Sequence, residues 1–480
     1  MPKASTASAL IASAWDPVHL RRLARACGAA ALRELTQSGR GPVRAPDFER
    51  RAQALLRQPQ GGGAARVPKA VASWLRQLGD ASLHQSHPRA MAQQISAPIP
   101  LAALVESNVA ALNQSIAVWD MSPAGTLVDR EVLRRFKRLL GFPASAEGSL
   151  TPGGSYANLT ALLAARAALA PRAWSAGGAK LAILAGAHTH YSISRAAGIM
   201  GLGADSVFPI PTDAAFRTDA NAIAAAARAA RRAGFRRLVL VATSGSTPTG
   251  SFDDLETFAA AARSLGAWLH VDAAHGGGMA FSPRLRPLLR GLRHADSVAF
   301  DPHKMMFMPL AAGAVLVRQG ERLRGAFEQH APYLFSPVRR KVADVGPFTI
   351  ACSQRFDALK IWLVWQAYGP QLFAELAEAT CATTQAAYDY CQASKLLAPL
   401  HRPHSNILCF RLRHAAADAA ADRLHWEVKE AVNAGGRAYV SSTVLAGRRC
   451  LRLVVMNPRS TPRHAAQVLR EVERAARRNQ

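Results

Sequence analysis

Residues 296–304, DSVAFDPHK, indicate the fold and the chemistry of this chain most directly. The run SVAF (297–300) has the length and apolar character of a buried strand, and Pro302 then ends it because proline cannot donate to a β-ladder. Lys304 follows at the edge where open α/β sheets bind their ligands. A lysine there can form a Schiff base with a carbonyl cofactor. Considered alone, a lysine in this position is more often a solvated loop residue.

Apolar runs of strand length alternate with alanine-rich, helix-length segments from about residue 149 onward. The strand-like runs are LAIL (181–184), LVLVAT (238–243), WLHVDAA (268–274), SVAF (297–300) and GAVLVR (313–318). Helical segments between them occupy 155–169, 192–201, 220–233 and 253–265. This alternation predicts an α/β fold with a mostly parallel sheet covered by helices on both faces.

Helical patterns precede this region, and a smaller mixed segment follows it. Helical character extends over residues 1–58, up to the glycine-rich break QPQGGGAAR (58–66). Further helical spacing occupies 99–118, 127–140, 355–368, 375–392 and a closing helix from Pro462, with strand-like runs at 406–412 and 450–456. We therefore expect a helical N-terminal segment (1–100), a large α/β domain (101–354) and a small C-terminal α+β domain (355–480).

The composition is that of a globular chain. Of 480 residues, 49% are hydrophobic, and no run approaches the roughly 20 apolar residues that span a bilayer. The N-terminal apolar patch meets Trp15 and Asp16 too early for a secretory signal. The six cysteines lack CxxC spacing, which argues against a zinc site or a disulfide framework. Such cysteine usage is typical of the reducing cytoplasm.

The charge balance is strongly basic, with 59 Lys and Arg against 32 Asp and Glu and a formal net charge of +27. Such an excess is typical of nucleic-acid-binding proteins. The arginines are nevertheless spread along predicted helix faces, and no basic stretch is interleaved with aromatic residues. We therefore do not expect nucleic acid as the main partner, although a basic, nucleic-acid-associated protein stays one alternative.

A glycine turn leads into a helix at TPGGSYANLTALLAAR (151–166). Glycines such as Gly154 let backbone amides approach a ligand, and a helix N-terminus carries partial positive charge, so the turn and Ser155 could hold a phosphate group. The lysine of a nucleotide-binding P-loop is missing, which argues against ATP. An ordinary turn before a capped helix is the structural alternative.

Three further groups of polar residues follow predicted strands. In AGAHTHYSISRAAGIMGLG (185–203), His188 and His190 could bind a metal, although no third ligand is near, or one imidazole could stack on a flat ring. Small hydroxyl residues end the strand in VATSGSTPTGSFDDL (241–255). In WLHVDAAHGGG (268–278), Asp272 ends an apolar strand, where a carboxylate requires a partner. That partner could be a protonated ring nitrogen, a metal or backbone N–H groups.

These groups occur along the chain in the order phosphate turn, histidine, hydroxyls, aspartate and lysine. Pyridoxal 5′-phosphate requires a phosphate site, a group that stacks on its ring, a partner for its pyridinium nitrogen and a Schiff-base lysine. The segments HVDAAHGG (270–277) and DPHK (301–304) also resemble those of the group II pyridoxal-phosphate-dependent amino-acid decarboxylases, which include the glutamate, aromatic and diaminobutyrate decarboxylases. The resemblance extends from HPRAMAQQ at His87 to NPRSTP at Asn457. It implies the fold of the pyridoxal-phosphate-dependent transferases, the aspartate aminotransferase type or fold type I.

The resemblance also implies roles for individual residues. Lys304 would form the Schiff base, Asp272 would keep the pyridine nitrogen protonated, and His190 would stack on the ring. The remaining contacts would come from Gly154, Ser155 and His303 around the phosphate, Thr247 as a hydroxyl contact, Ala274 beneath the ring, and Arg452 at the substrate carboxylate.

The implied reaction is decarboxylation of an L-amino acid to its amine through an external aldimine and a quinonoid. The implied assembly is a homodimer with shared active sites, and the implied partner is a small-molecule amino acid. Two departures from the family pattern matter here. Asp301 stands where many relatives have asparagine. The loop YLFSPVRRKVADVGPFTIACSQR (333–355) has only Tyr333, with Asp344 and Phe348 near the position of a catalytic tyrosine.

Loss of that tyrosine, a proton donor, favours reaction with oxygen in some relatives. Decarboxylation-dependent oxidative deamination to an aldehyde is therefore one alternative reaction on the same scaffold. Carbon–carbon lyase chemistry is another.

Overall fold

The computed structural model describes residues 14–57, 66–327, 331, 344–413 and 419–479. The helices within these ranges are α1 Pro17–Gln37, α2 Phe48–Leu56, α3 Val67–Ala81, α4 Pro100–Leu112, α5 Pro123–Leu140, α6 Gly154–Leu169, α7 Ala173–Ala176, α8 Ser192–Ile199, α9 Ile223–Arg232, α10 Leu255–Leu265, α11 Gly320–Arg324, α12 Ala358–Tyr368, α13 Gln371–Ala393, α14 Ala419–Ala434 and α15 Pro462–Asn479. None of the described helices combines the length and apolarity required to cross a membrane.

The strands form one large and one small sheet. They are β1 Ala90–Met91, β2 Glu147–Thr151, β3 Leu181–Gly186, β4 Val207–Ile210, β5 Arg237–Thr243, β6 Trp268–Asp272, β7 Ser297–Phe300, β8 Gly313–Val317, β9 Leu397–Pro399, β10 Ile407–Leu412, β11 Tyr439–Leu445 and β12 Arg448–Val454. The large sheet has the order β2-β8-β7-β6-β5-β3-β4. Its neighbouring strands are parallel except where β8 pairs with β2 and β7. This confirms the predicted α/β fold with a mostly parallel sheet.

Alternate residues of the central strands face opposite sides of the large sheet. Leu184 of β3 and Leu240 of β5 lie in one apolar cluster, and their neighbours Ile183 and Val239 lie in the other. Burial on both faces explains the continuous apolar runs in the sequence. Because β3, β5, β6 and β7 are mutually parallel, the loops that follow them begin at one edge of the sheet.

The small sheet has the order β1-β11-β12-β10-β9 and packs against α13, α14 and α15. Its edge strand β1 comes from the N-terminal part of the chain and pairs in parallel with β11 through Ala90 and Tyr439. Helix α12 lies after residue 354, yet its Ile361 and Val364 belong to an apolar cluster of the large sheet. The domain boundaries at residues 100 and 354 stay a prediction.

Two neighbouring aspartates fix the loop between β5 and α10. Asp254 is the helix N-cap, and its carboxylate accepts hydrogen bonds from the backbone N–H groups of Glu256 and Thr257. Asp253 instead turns inward and accepts bonds from Thr218 N and Thr243 N, both at 2.8 Å. At the predicted start of this helix, Asp254 is thus the exposed N-cap. Asp253 is a buried carboxylate that fixes the carboxyl end of β5.

Asp129 of α5 is a fully buried carboxylate, and within the described part of the chain neither of its oxygens has a hydrogen-bond partner. Burial raises its pKa from 3.8 to about 7. The folded state therefore keeps a proton that the unfolded state loses above pH 3.8. The stability that this group contributes is present below pH 3.8 and is lost progressively up to about pH 7.

We expect Asp129→Asn to gain stability relative to the natural chain between pH 4 and pH 8, by up to about 4 kcal/mol. Denaturant unfolding at both pH values measures this difference. If the two chains differ by the same amount at pH 4 and pH 8, the assignment of a buried, protonated Asp129 is wrong.

Candidate active site

The loops after β3, β5, β6 and β7 enclose a cavity of about 370 Å³ at the carboxyl edge of the large sheet. Its lining residues are Pro152, Gly153, Gly154, Ser155, Tyr156, Asn158, His190, Tyr191, Thr243, Gly245, Thr247, Asp272, Ala274, His275, Asp301, His303 and Lys304. Every residue predicted for the cofactor lines this cavity. Arg452, predicted for the substrate, is not among the lining residues.

Asp272, the last residue of β6, is oriented by hydrogen bonds on both of its oxygens. Oδ2 accepts from Asn158 Nδ2 at 2.9 Å, and Oδ1 accepts from the backbone N–H of Ala274 at 3.0 Å. Both donors are neutral, so the carboxylate is held in place without being neutralised by an ion pair from them. Asp272 can therefore interact with a positive group in the cavity.

A chain of buried side chains orients Asn158 in turn. Trp268 Nε1 donates to Ser297 Oγ, and this hydroxyl lies 2.9 Å from His270 Nδ1. His270 Nε2 lies 3.0 Å from Asn158 Oδ1, which can only accept, so the proton is on Nε2. Burial lowers the pKa of His270 to about 4, so its ring is neutral near pH 7. The sequence did not predict this network.

Lys304 lies beside two other polar residues of the same loop. Its Nζ is 3.2 Å from Asp301 Oδ2, and His303 Nε2 is 3.4 Å from the same oxygen. The backbone N–H of Ala312 donates to His303 Nδ1 at 3.2 Å, so the His303 proton is on Nε2. Burial lowers the pKa of His303 although the charge of Asp301 opposes this. The other Asp301 oxygen, Oδ1, has no hydrogen-bond partner among the described residues.

The glycine turn before α6 lies directly against these residues. A Cβ atom on Gly153 would be 3.1 Å from His303 Cε1, and one on Gly154 would be 2.8 Å from Asp301 Oδ2. Larger residues would therefore displace the loop that carries Lys304. The close approach places the N-terminus of a 16-residue helix, α6, at the cavity beside the His303 imidazole.

The two histidines of the predicted HxH pair diverge. His190 lines the cavity, and its Nδ1 lies 2.8 Å from Ser192 Oγ and accepts from Ser192 N at 3.3 Å. Burial lowers the pKa of His190, so the ring is neutral near pH 7. His188 instead stacks on Phe216, with the ring centroids 6.1 Å apart. Within the described part of the chain, neither histidine belongs to a group of three or more potential metal ligands.

The hydroxyl residues after β5 divide between the cavity and the protein interior. Ser246 Oγ is hydrogen-bonded to Thr249 Oγ1 at 2.8 Å and to Ser251 Oγ at 2.9 Å. Thr247 lies between these buried residues and lines the cavity with Gly245, whose φ of +88° favours glycine. Of the hydroxyl residues in this stretch, Thr243 at the end of β5 and Thr247 line the cavity.

The sequence of this chain matches a known protein family. The model of the pyridoxal-dependent decarboxylase conserved domain matches residues 76–413. The chain belongs to this decarboxylase family. The prediction from sequence is confirmed: the protein is a pyridoxal-phosphate-dependent decarboxylase of amino acids, and its cofactor is pyridoxal phosphate.

Individual relatives agree with this assignment. The decarboxylase is 35% identical over 419 residues to L-2,4-diaminobutyrate decarboxylase of Rhizobium meliloti (strain 1021), covering 86% of this chain and 83% of the relative. It is 32% identical over 375 residues to human cysteine sulfinic acid decarboxylase, covering 76% and 75% of the two chains.

Solved structures confirm the fold. The crystal structure of mouse CSAD in apo form superimposes with a TM-score of 0.89 at 27% identity, over 96% of this chain and 99% of that one. The structure of Oryza sativa TDC with PLP and tryptamine gives a TM-score of 0.87 at 26% identity, over 97% and 99% of the two chains. The fold is therefore the predicted fold type I.

The cavity of this decarboxylase has the parts that pyridoxal phosphate requires. Lys304 offers an amine for the cofactor aldehyde, and the end of α6 with His303 offers a phosphate site. Asp272 offers a carboxylate for the pyridine nitrogen, and His190 offers a neutral ring. The carboxylate of Asp301 opposes a phosphate group, because it lies against the same glycine turn.

Arg452 is buried in β12 and is not among the residues that line the cavity. Its Nη1 donates to Ala92 O at 3.3 Å and lies 3.2 Å from Ser441 Oγ, whereas its Nε has no partner among the described residues. His275 lines the cavity, and its pKa is lowered to about 3 by burial and by the charges of Lys304 and Arg452. The family resemblance implied a substrate role for Arg452, which stays a prediction, and the sequence reasoning missed His275.

The residues considered for the catalytic tyrosine position lie away from the cavity lining. Asp344 Oδ1 accepts a hydrogen bond from Trp119 N at 2.7 Å, and Phe348 is buried beneath the Arg130 guanidinium. Tyr333 lies outside the described residues.

Proposed function

We propose that this decarboxylase converts an L-amino acid into CO2 and the corresponding amine at the Lys304 cavity. The observation that carries the proposal is the convergence of Lys304, Asp272 and His190 in one lining. When bound, pyridoxal phosphate supplies an electron sink for the carbanion that loss of CO2 leaves. The residues of this chain bind, orient and exchange protons around that chemistry.

Lys304 Nζ would hold the cofactor aldehyde until the substrate amine replaces it, and would take it back when the product amine leaves. Asp272 would hold the proton of the pyridine nitrogen, because hydrogen bonds from Asn158 and Ala274 fix its carboxylate at the cavity. His190 would cover one face of the ring as a neutral imidazole, with its Nε2 proton available to the substrate carboxylate.

The phosphate would lie at the N-terminus of α6, near Gly154 and Ser155. His303 would donate from Nε2, because its Nδ1 is already an acceptor. Thr247 would supply a hydroxyl contact, and Ala274 would leave space beneath the ring. These roles are supported by the positions of the side chains in the cavity lining.

Asp301 gives this site a property that can be tested by one substitution. Its buried carboxylate lies against Gly154 of the proposed phosphate turn, so its negative charge would repel a phosphate group bound there. We expect Asp301→Asn to bind pyridoxal phosphate about tenfold more tightly. Titration of the apoprotein, followed by tryptophan fluorescence, gives the dissociation constant. Weaker binding would show that the carboxylate is required for the cofactor.

We propose L-2,4-diaminobutyrate as the first substrate to test. The 35% identity to a diaminobutyrate decarboxylase supports this choice. Lys304 is also the only lysine or arginine among the described lining residues, so an acidic substrate side chain would find no arginine there. We propose Arg452 for the α-carboxylate, which every amino-acid substrate carries, because its Nε lacks a hydrogen-bond partner within the described chain and its positive charge lowers the pKa of the lining residue His275.

The test is CO2 release by purified holoenzyme from L-2,4-diaminobutyrate, glutamate, cysteine sulfinate and the other common amino acids. The proposal expects equal amounts of CO2 and amine, without hydrogen peroxide. Equal amounts of aldehyde and peroxide would instead demonstrate oxidative deamination. No CO2 from any amino acid by a cofactor-loaded protein would refute the proposed function.

We also propose a cytoplasmic homodimer whose partner subunit completes the cavity entrance. Tyr156 and Tyr191 support the dimer, because both line the cavity while their side chains are about half exposed (49% and 57%) in the single chain. Scattered cysteines that form no disulfide support the cytoplasm.

A further inference from the structure

A buried lysine outside the cavity contacts the loop that carries Lys304. Lys360 lies in the first turn of α12 with no exposed surface. Its Nζ donates to Glu106 Oε1 at 2.7 Å and to the backbone oxygen of Ala311 at 2.8 Å, and it lies 3.3 Å from Asp357 Oδ1. One ammonium group thus joins α4, α12 and the segment after Lys304.

The charges around Lys360 form a closed network. Glu106 is also paired with Arg355, which in turn is paired with Asp357. Although burial alone would raise the pKa of Glu106, hydrogen bonds from Lys360 and Arg355 lower it. A buried ammonium costs several kcal/mol to desolvate, and an apolar side chain could fill the same volume at lower cost. The ammonium group can orient the backbone oxygen of Ala311 through a hydrogen bond, and an apolar side chain could not.

The contacted backbone leads directly to His303. Ala312, the neighbour of Ala311, accepts a hydrogen bond from His303 N at 3.1 Å and donates to His303 Nδ1 at 3.2 Å. These two bonds fix both the main chain and the ring of His303. A displacement of residues 311–312 would therefore move the imidazole that lies against Gly153.

We propose that Lys360 is a positioning residue for the cofactor's phosphate site, acting through Ala311 and Ala312 on His303. The inference rests on the proposed function in one respect, the location of the phosphate at His303. It assigns Lys360 no contact with the cofactor or the substrate.

An electrostatic effect acts in the same direction as the geometry. The pKa of His303 is lowered chiefly by burial, with the charge of Asp301 opposing and those of Lys304 and Lys360 lowering it further. Lys360 thus helps to keep the imidazole neutral, with one proton on Nε2. A neutral ring with a fixed proton has a defined donor direction toward the cavity.

The test measures cofactor binding rather than activity alone. We expect Lys360→Met to raise the dissociation constant for pyridoxal phosphate by about tenfold, the effect of losing one hydrogen bond to a charged group. The ³¹P resonance of the bound cofactor should shift, because the phosphate environment changes. At saturating cofactor, kcat should fall by less than the dissociation constant rises.

Lys137→Met is the matched control. Lys137 also donates from a helix to a backbone oxygen, that of Ala146 at 2.8 Å, but it is not among the residues lining the cavity. This variant should keep the natural dissociation constant and ³¹P resonance. If neither the natural protein nor this control binds pyridoxal phosphate, the proposed function itself fails, independently of Lys360.

The double variant Lys360→Met/Glu106→Gln separates positioning from simple loss of charge balance. It removes the carboxylate that the single variant leaves without its ammonium partner, so the apoprotein should unfold within a few degrees of the natural chain. Weak cofactor binding and a shifted ³¹P resonance in this double variant support the proposal, even where the single variant folds poorly. Natural affinity with an unshifted resonance overturns it.

Discussion

Replacing Lys304 with alanine is expected to abolish cofactor attachment and decarboxylation together. Lys304 is the only lysine among the described lining residues, and its Nζ is held toward the cavity beside Asp301. Without this amine the cofactor aldehyde has no covalent partner, and product release loses its nucleophile. We expect CO2 release to fall by about four orders of magnitude or more, the scale seen when a covalent catalytic group is removed. The protein should also lose the yellow colour of bound cofactor.

Lys180→Ala is the control for this variant. Lys180 is exposed and immediately precedes β3, at the end of the strand opposite its carboxyl edge. It should keep colour and activity. A Lys304→Ala protein that still turns over at a tenth of the natural rate would mean that another lysine holds the cofactor.

Replacing Asp272 with asparagine is expected to separate binding from turnover. The side chain keeps its shape, so cofactor binding through Lys304 and the end of α6 should continue. Asparagine carries no negative charge, however, and cannot stabilise a protonated pyridine nitrogen. Because electrostatic stabilisation of the transition state is usually a large part of catalysis, we expect kcat to fall about a thousandfold. Single-turnover CO2 release at saturating cofactor measures this directly.

Asp254→Asn makes the same chemical change at the N-cap of α10. Asparagine is as good an N-cap as aspartate, and Asp254 is not among the lining residues, so activity and stability should be unchanged. If Asp272→Asn lowers kcat less than tenfold while cofactor binds normally, Asp272 does not control the protonation of the ring.

The sequence could predict those parts of the site that follow strands. Asp272 ends β6 and Lys304 follows β7, and strands that are parallel and adjacent deliver such residues to one edge. The glycine turn at 153–154 could be predicted because close backbone approach leaves a compositional signal. The order of these residues along the chain, together with the parallel strands, was sufficient to predict that they lie in one site.

The residues that orient Asp272 could not be predicted in the same way. Asn158 is the fifth residue of α6, and it reaches Asp272 across 114 positions of sequence. His270 lies inside an apolar strand run. From sequence alone, a buried histidine that orients another side chain cannot be distinguished from one that only fills the core. The signal that could have found both is the cost of burying polar groups, which predicts that a partner exists but does not identify it.

Strand β1 and the Lys360–Glu106 contact depend on long-range packing, so the sequence could not predict them. Strand β1 has only two residues, too few for a periodic pattern, and it is formed because β11 offers an edge. The contact of Lys360 with Glu106 spans 254 positions and joins two predominantly apolar helices, α4 and α12. Local propensity contains no information about such pairings.

The central claim, that Lys304 carries the cofactor, has one direct measurement. Borohydride reduction of the purified protein, followed by proteolysis and mass spectrometry, shows which lysine holds the reduced cofactor. Our account predicts a single phosphopyridoxyl group, on the peptide that contains DPHK (301–304). A modified peptide elsewhere in the chain, with the Lys304 peptide unmodified, would contradict it.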